Sequence, residues 1–384
     1  MLFVKTFELR PGMRLAKPIY NKTGVLLYER NSKLTVPAIK SIQNFNLIGV
    51  YILEPAEPEL PLSPEDLMFE QAQTVYTFKM RDIYENLYKR EPLKKLEELI
   101  EDVCKRYGDL NHRVNFNQNI RSADDFMYKH AISTAILTAM IAQHIDMSED
   151  DYRALITAAF LYGFGYRFVS RKILSKETEL TEEELVVIQN SLEKGLVYLE
   201  ASNEKLSYFR TAVSIVYCHI LESKPNVVLP EFSNSVFLAS EILKVAKQFD
   251  LLTGMMMGHK PQSEIMAMNY LRDHAREYNE TIVSVLAQCI HIIPAGASVD
   301  LSTRDKGIVL VENPKNYMEP VILRLSDNQI YDLSDPAVSQ NIQIVDLMKT
   351  MDNRVEIDED TLKQFHADER IIEMTEKYKK HKKS

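Results

Sequence analysis

Residues 125–143 read DFMYKHAISTAILTAMIAQ, and the part from Ala131 to Gln143 is the longest strongly apolar run of the chain. Ser133 and Thr134 interrupt this run, and its length is well below the roughly 20 apolar residues that a helix needs to cross a bilayer. We therefore predict a helix from Asp124 to His144 in the interior of a folded domain, and no membrane span.

The chain after this helix is also predicted to be helical. Five further segments have the helical spacing of apolar residues: Glu149–Tyr162, Thr181–Glu200, Glu204–Ile220, Ser233–Leu252 and Gln262–Tyr278. Strand signals are nearly absent here. The fold class that follows is mainly α, with a helical domain over residues 121–293.

The chain before this helix carries an apolar stripe. Its members repeat at three- and four-residue steps, with charges between them: Leu93, Leu96, Leu99, Ile100 and Val103. Such a stripe must pack on another surface. We predict a helical connector over residues 66–120 and regard it as the candidate interface of a homodimer.

Both ends of the chain have a different texture. Short apolar segments and turn signals predict a small α+β module over residues 1–53, and the four prolines of residues 54–65 predict a linker. Alternating apolar residues after Pro294 predict a short β extension over residues 294–345. A charged helical tail is expected over residues 346–384.

Composition limits the class of protein. With 45% hydrophobic and 26% charged residues, the 384-residue chain is an ordinary globular sequence, and its length favours two or three domains. A net charge of −9 argues against a nucleic acid polymer as partner. Cys104, Cys218 and Cys289 are far apart, which argues against a zinc knuckle. These features, and a start without a secretory signal, predict a cytoplasmic protein.

The segments Asp125 to His130 and Leu161 to Tyr166 have an order and spacing that resemble the HD-GYP domains of bacterial cyclic di-GMP phosphodiesterases. Residues Asp125 to His130 are similar to the opening helix of that family, in which a histidine at the position of His130 is a metal ligand. The segment Leu161 to Tyr166 lies where the family has its His-Asp pair. Here Tyr162 replaces the histidine, Gly163 replaces the aspartate, and Tyr166 replaces a lysine that would meet phosphate.

Later positions of the family pattern are also changed. Ser191, four residues before Gly195, stands where the family has a histidine. A later histidine pair aligns with either Cys218-His219 or His219-Ile220, so at most one of the two histidines is retained. The loop Lys224–Pro230 has no GYP sequence. Of the two aspartates that follow in the family, Lys247 replaces the first, a metal ligand, and Asp250 matches the second.

The flanking segments add to the resemblance. Leu9 to Ala16 is similar to the small module that precedes many HD-GYP domains, and residues 294–321 are similar to the β extension that follows them. The HDOD domains, a related helical family, also lack the metal site, but the β extension favours HD-GYP ancestry.

These replacements predict that the metal site is lost. A two-metal phosphodiesterase holds its cations with several carboxylates and neutral imidazoles, whereas glycine offers no ligand and lysine adds a repelling charge. We therefore predict no catalytic residue, no cofactor and no metal, with His130 and His219 as remnants of the ligand set. The residues that could line a surviving ligand pocket are Tyr162, Gly163, Tyr166, Ser191, Lys247 and Asp250.

Several of these residues have two interpretations. Lys247 is either an internal cation that takes the place of a metal or a surface lysine with its stem buried. Tyr162 and Tyr166 either stack on a guanine base or fill the space that the metal site has left. Met255 to Met257 form either an adaptable binding surface or part of the core.

The leading functional hypothesis is an HD-GYP-like signalling protein without catalytic activity. It would bind a signalling protein partner, with a cyclic dinucleotide as a second candidate ligand. One alternative is a cyclic di-GMP phosphodiesterase whose altered site draws on Asp124, Asp125, His130, His219, Glu222 or Asp250. The other is a helical scaffold without a small ligand.

Overall fold

The computed structural model describes residues 2–45, 49–53, 64–116, 121, 123–176, 179–222, 230–254 and 261–347. Several sequence-based predictions fall outside these residues. They concern most of the proline-rich linker, most of the loop Lys224–Pro230, the methionines 255–257, and the tail from residue 348 onward.

The N-terminal module is a small α+β unit. Its elements are β1 (Leu2–Lys5), a 3-10 turn (Thr6–Glu8), β2 (Arg14–Leu15), β3 (Ile19–Tyr20), β4 (Leu26–Tyr28), α1 (Val36–Asn44) and β5 (Gly49–Leu53). Strand β5 pairs antiparallel with both β1 and β2, and β3 pairs with β4. The hydroxyl of Thr35 caps α1 by accepting a hydrogen bond from the amide of Ala38. The module has its own small core, in which Ile42 of α1 packs with Leu15 and Ile52.

Ten helices follow between residues 64 and 289 of the described chain. They are α2 (Pro64–Lys89), α3 (Leu96–Tyr107), α4 (Phe126–Ala142), α5 (Glu149–Leu161), α6 (Arg171–Leu174), α7 (Glu182–Glu200), α8 (Phe209–Glu222), α9 (Asn234–Thr253), α10 (Glu264–Asp273) and α11 (Glu280–Cys289). A 3-10 segment, Tyr162–Phe168, continues from the end of α5. In this part of the chain no helix is both long and apolar enough to span a membrane.

Helix α4 is the centre of the helical body. All residues from Ala131 to Ala142 are buried, as expected for a helix that is apolar on every side. Helices α2, α3, α5, α9 and α11 pack around it. The apolar run therefore forms a central helix within the folded domain.

Two helix predictions differ from the structure. The segment predicted from Glu204 begins as a helix only at Phe209, and the Glu204 carboxylate accepts a hydrogen bond from the amide of Leu93 at 3.1 Å. The segment predicted to reach Tyr278 ends at Asp273, and a new helix, α11, follows. The side chain of Asn279 caps α11 by accepting from the amide of Thr281, a local signal that the periodicity does not contain.

The apolar stripe of residues 66–120 packs inside the chain. Tyr76, Met80 and Tyr84 of α2 and Leu99 and Val103 of α3 are buried in the same core as α4. We expected this stripe at a dimer interface, but the structure uses it within one molecule. The homodimer remains a prediction, and this stripe no longer supports it.

The C-terminal extension is a five-stranded antiparallel sheet. Its elements are β6 (Ser298–Leu301), β7 (Lys306–Val311), β8 (Val321–Arg324), β9 (Gln329–Asp332), α12 (Pro336–Ser339) and β10 (Ile344–Leu347), and the strand order is β10-β6-β7-β8-β9. Val299, Val309 and Ile322 are buried together with the helical core. The structure thus confirms the fold class: mainly helical, with strands at both ends.

The 3-10 segment and α7 meet at two glycines. A Cβ atom on Gly195 would lie 2.7 Å from the backbone N and Cα of Gly165, which is closer than real Cβ contacts allow. Because both neighbours are backbone atoms, no side chain can move aside. This close approach fixes the 3-10 segment, and with it Tyr162, against α7.

We expect Gly195→Ala to lower the free energy of unfolding by about 1–3 kcal/mol, because the added methyl group forces the two backbones apart. Gly163→Ala is the matched control, since its Cβ would meet only side-chain atoms of Tyr166 and Tyr84 at 3.5 Å or more. Urea unfolding of both variants checks this. Equal stability of the two variants would contradict the close packing described here.

Candidate functional site

Five of the residues singled out from the sequence meet in the interior. His130 on α4, Tyr162 and Tyr166 on the 3-10 segment, His219 on α8 and Asp250 on α9 are all buried. The ring of Tyr162 lies 5.6 Å from the rings of both histidines, measured between centroids. Arg121 pairs with Asp250. We call His130, Tyr162, Asp250 and Arg121 the buried polar centre.

Asp250 is held by a bidentate ion pair with Arg121. The two guanidinium nitrogens of Arg121 donate to the two carboxylate oxygens of Asp250 at 2.7 and 2.5 Å, and both side chains are at most 1% exposed. Arg121 also donates to the hydroxyl of Ser133 at 3.2 Å. Burial alone would raise the pKa of Asp250, but the charge of Arg121 and hydrogen bonds from His130 and Arg121 hold it well below its ordinary value. Asp250 is therefore ionised.

An ionised Asp250 determines the protonation of His130. The Nδ1 atom of His130 lies 2.5 Å from Asp250 Oδ2, and an ionised carboxylate can only accept, so Nδ1 carries the proton. Burial lowers the pKa of His130 despite its hydrogen bond to Asp250. The ring is then neutral, and Nε2 accepts a hydrogen bond from the hydroxyl of Tyr162. Both ring nitrogens of His130 are in use.

Tyr162 completes this hydrogen-bonded chain. Its hydroxyl also lies 3.3 Å from Oγ1 of Thr134, one helical turn after His130 on α4. Burial raises the pKa of Tyr162 well above its ordinary value, so the phenol keeps its proton and can donate. The position at which the sequence predicted a lost ligand therefore holds a group that bonds to His130, one of the two retained histidines.

The other pocket candidates are arranged differently. Tyr166 turns its ring towards Phe126 and His130, with centroids 5.0 and 5.8 Å away, and fills space beside the buried polar centre. Gly163 contributes no side chain. Ser191 lies on α7 and donates its hydroxyl to the carbonyl of Val187 in the same helix, at 2.8 Å, so it does not join the centre.

Lys247 lies one turn before Asp250 on α9 and is half-buried. Burial and the nearby charge of Lys244 lower the pKa of Lys247 to about 8. Burial, together with the charges of Lys247 and Lys244, lowers the pKa of His219 well below its ordinary value. The sequence left open whether Lys247 is an internal cation in place of a metal ion or a surface lysine, and the structure pairs Asp250 with Arg121.

Arg121 was missed in the sequence because no pattern marks it. It stands in a polar stretch before α4 without helical or strand periodicity. The signal that could have found it is charge balance. A retained Asp250 without metal ions requires another cation, and a guanidinium matches a carboxylate in a bidentate geometry.

A comparison with known families matches most of the helical body. Residues 94–282, just under half of the chain, match the model of the family described as HD domain. The predicted relation to the HD superfamily is confirmed. No curated protein is significantly similar to the chain in sequence.

One similar solved structure is that of Bd1817, a HDG"Y"P protein from Bdellovibrio bacteriovorus. It is 13% identical to this chain with a TM-score of 0.45, and the match covers 74% of this chain and 97% of Bd1817. Similarity of this degree supports no conclusion about the site.

The metal ions that the HD-GYP resemblance implies do not fit the side chains at this place. Asp250 is engaged by Arg121, and both nitrogens of His130 are hydrogen-bonded. The positive charges of Arg121 and Lys247 would repel a divalent cation. Among the residues that the structure describes, no group of three histidine, cysteine or carboxylate side chains is placed to hold a metal ion.

We expect Arg121→Met to lower the free energy of unfolding by about 3–5 kcal/mol, because it leaves a carboxylate buried without its cation. The matched control is Arg171→Met, which breaks an exposed pair with Asp124 and should cost at most about 1 kcal/mol. The double variant Arg121→Met/Asp250→Leu should regain most of the loss. Urea unfolding measures all three. If Arg121→Met lowered the free energy of unfolding no more than Arg171→Met does, the ion pair between Arg121 and Asp250 would not be important for stability.

Proposed function

We propose that this chain is an HD-GYP-like protein that does not hydrolyse cyclic di-GMP and acts by binding a signalling protein. The observation that carries the proposal is the buried polar centre. Arg121 occupies the carboxylate of Asp250, and the hydroxyl of Tyr162 occupies the one nitrogen of His130 that a metal ion could use. His130, one of the two histidines that remain of the ligand set, and Asp250 are thus both engaged by other side chains.

The same centre argues against a cyclic dinucleotide at this place. Tyr162 and Tyr166 are both buried, and their rings pack against His130, His219 and Phe126. A guanine base would need the space that these rings fill. A protein partner needs only an exposed surface.

A surface at the Phe168 end of the 3-10 segment supports partner binding. The rings of Tyr88, Phe168 and Tyr198 contact one another, with centroids 5.5 to 6.4 Å apart. Arg167 lies 4.4 Å from the ring centre of Tyr88, and Lys194 lies 4.3 Å from that of Phe168. We call these five residues the aromatic–cation surface.

The composition of the aromatic–cation surface favours a partner with acidic and apolar groups. Tyr88 is 44% exposed, Lys194 is exposed, and Val197 beside it is 56% exposed. Aromatic side chains and arginine are enriched where proteins bind each other. The 3-10 segment connects this surface to the buried polar centre, since it carries Phe168 at one end and Tyr162 at the other.

We expect the full chain, purified after growth with added iron and manganese, to hold no stoichiometric transition metal and to leave cyclic di-GMP intact. Elemental analysis and a phosphodiesterase assay measure this. His130→Gln is the control, because metal or activity that belongs to the centre would be lost in it. Stoichiometric metal and turnover in the natural chain, both absent from His130→Gln, would overturn the proposal.

The partner is tested with two charge reversals. We expect Lys194→Glu to lose a protein that the natural chain captures, because the reversal places a carboxylate where an acidic partner would bind. Lys172→Glu, on exposed α6, makes the same change of net charge and should capture it equally. Affinity purification with quantitative mass spectrometry measures the difference. Equal capture by all three chains would contradict this surface, and capture of no protein would contradict partner binding.

A further inference from the structure

A second polar site lies between the N-terminal module and the HD domain. A cavity of about 110 Å³ opens there, between the strands of the module on one side and α2 and α4 on the other. Five charged residues line it, together with Tyr51, which carries a hydroxyl group. The charged residues are Lys17, Glu70, Arg81, Asp125 and Lys129. Because benzene fits a cavity of roughly 150 Å³, this one suits a molecule of about four to six non-hydrogen atoms.

The cavity is rich in positive charge around one aromatic ring. Lys17 and Lys129 place their ammonium groups 5.8 and 5.0 Å from the ring centre of Tyr51, and Lys129 donates to the Tyr51 hydroxyl at 2.8 Å. Lys17 pairs with Glu70 and Lys129 pairs with Asp125. With Arg81, the lining holds three cations and two carboxylates. The excess positive charge favours a ligand with a carboxylate or another anionic group.

Glu70 adds a requirement for a donor. One of its carboxylate oxygens accepts from Lys17 at 2.6 Å, whereas the other is buried and has no donor among the described residues. A buried acceptor without a donor is costly, so a hydroxyl or amino group of a ligand would fit there.

We propose that this cavity binds a small carboxylate with a hydrogen-bond donor on the adjacent carbon, that is, an α-hydroxy or α-amino acid of two or three carbons. Arg81 and Lys129 would bind the carboxylate, and the free oxygen of Glu70 would accept from the hydroxyl or amino group. The proposal does not depend on the function proposed above, because no residue of the buried polar centre lines the cavity.

The position of Lys129 connects the cavity to the interior of the protein. Lys129 precedes His130 on α4, and its partner Asp125 directly precedes the first residue of that helix. A ligand that draws Lys129 towards the cavity would act on the helix that carries His130. The N-terminal module would then be the part of the chain that senses a small metabolite.

The test is calorimetric titration of the full chain with six probes. Glycolate, L-lactate, glycine and L-alanine carry the donor, whereas acetate and propionate lack it. We expect saturable binding of one ligand per chain for the hydroxy pair, the amino pair or both, and binding about tenfold weaker or more for acetate and propionate. Which pair binds identifies the donor as hydroxyl or ammonium.

Arg81→Met should weaken binding by about tenfold or more, because the carboxylate loses a charge-assisted hydrogen bond. Arg106→Met, at an exposed ion pair with Asp102 on α3, is the matched control and should bind as the natural chain does. Circular dichroism of both variants verifies that they fold. Absence of binding for all four donor-bearing probes, binding of acetate and propionate as tight as that of the tightest donor-bearing probe, or unchanged binding by a folded Arg81→Met chain would each overturn the proposal.

Discussion

The ion pair between Arg121 and Asp250 is the constraint on which the interior of this protein depends. A carboxylate that is completely buried has to be protonated, paired or bound to a metal ion. Here it is paired through two hydrogen bonds, and the pairing keeps it ionised. Every other polar group of the centre takes its state from that charge.

The charge of Asp250 determines the hydrogen-bonding roles of the neighbouring side chains. Because Asp250 can only accept, the proton of His130 is on Nδ1, and because Nδ1 carries the proton, Nε2 accepts from Tyr162. This chain of bonds joins α9 to α4 and α4 to the 3-10 segment. The close approach of Gly165 and Gly195 then fixes the same segment against α7. Polar bonds and backbone packing thus specify one arrangement of these elements.

How much of the structure could be predicted from the sequence depends on how far apart along the chain the interacting residues are. The helical domain, the terminal strands and most helix bounds were predictable, because apolar periodicity is local to each element. The replacements at Tyr162, Gly163 and Lys247 rest on the family resemblance and remain predictions. The role of Arg121 was not, since the pair joins residues 129 positions apart and nothing near Arg121 marks it. The apolar stripe of α3 was predictable from its periodicity, but the sequence did not indicate that this stripe packs within the chain.

A buried ion pair is a weak source of stability, since apolar side chains of similar volume often serve as well or better. We infer that the pair contributes specificity here. An apolar centre would allow α4 and α9 to slide relative to each other at little cost, whereas a bidentate pair and the hydrogen bonds to His130 and Tyr162 are satisfied in one register only. For a protein that transmits the binding of a partner or a small ligand, a single well-defined register is useful, because a displacement of α4 then breaks a defined set of bonds. The same centre that excludes a metal ion therefore gives the HD domain a rigid reference for such a displacement.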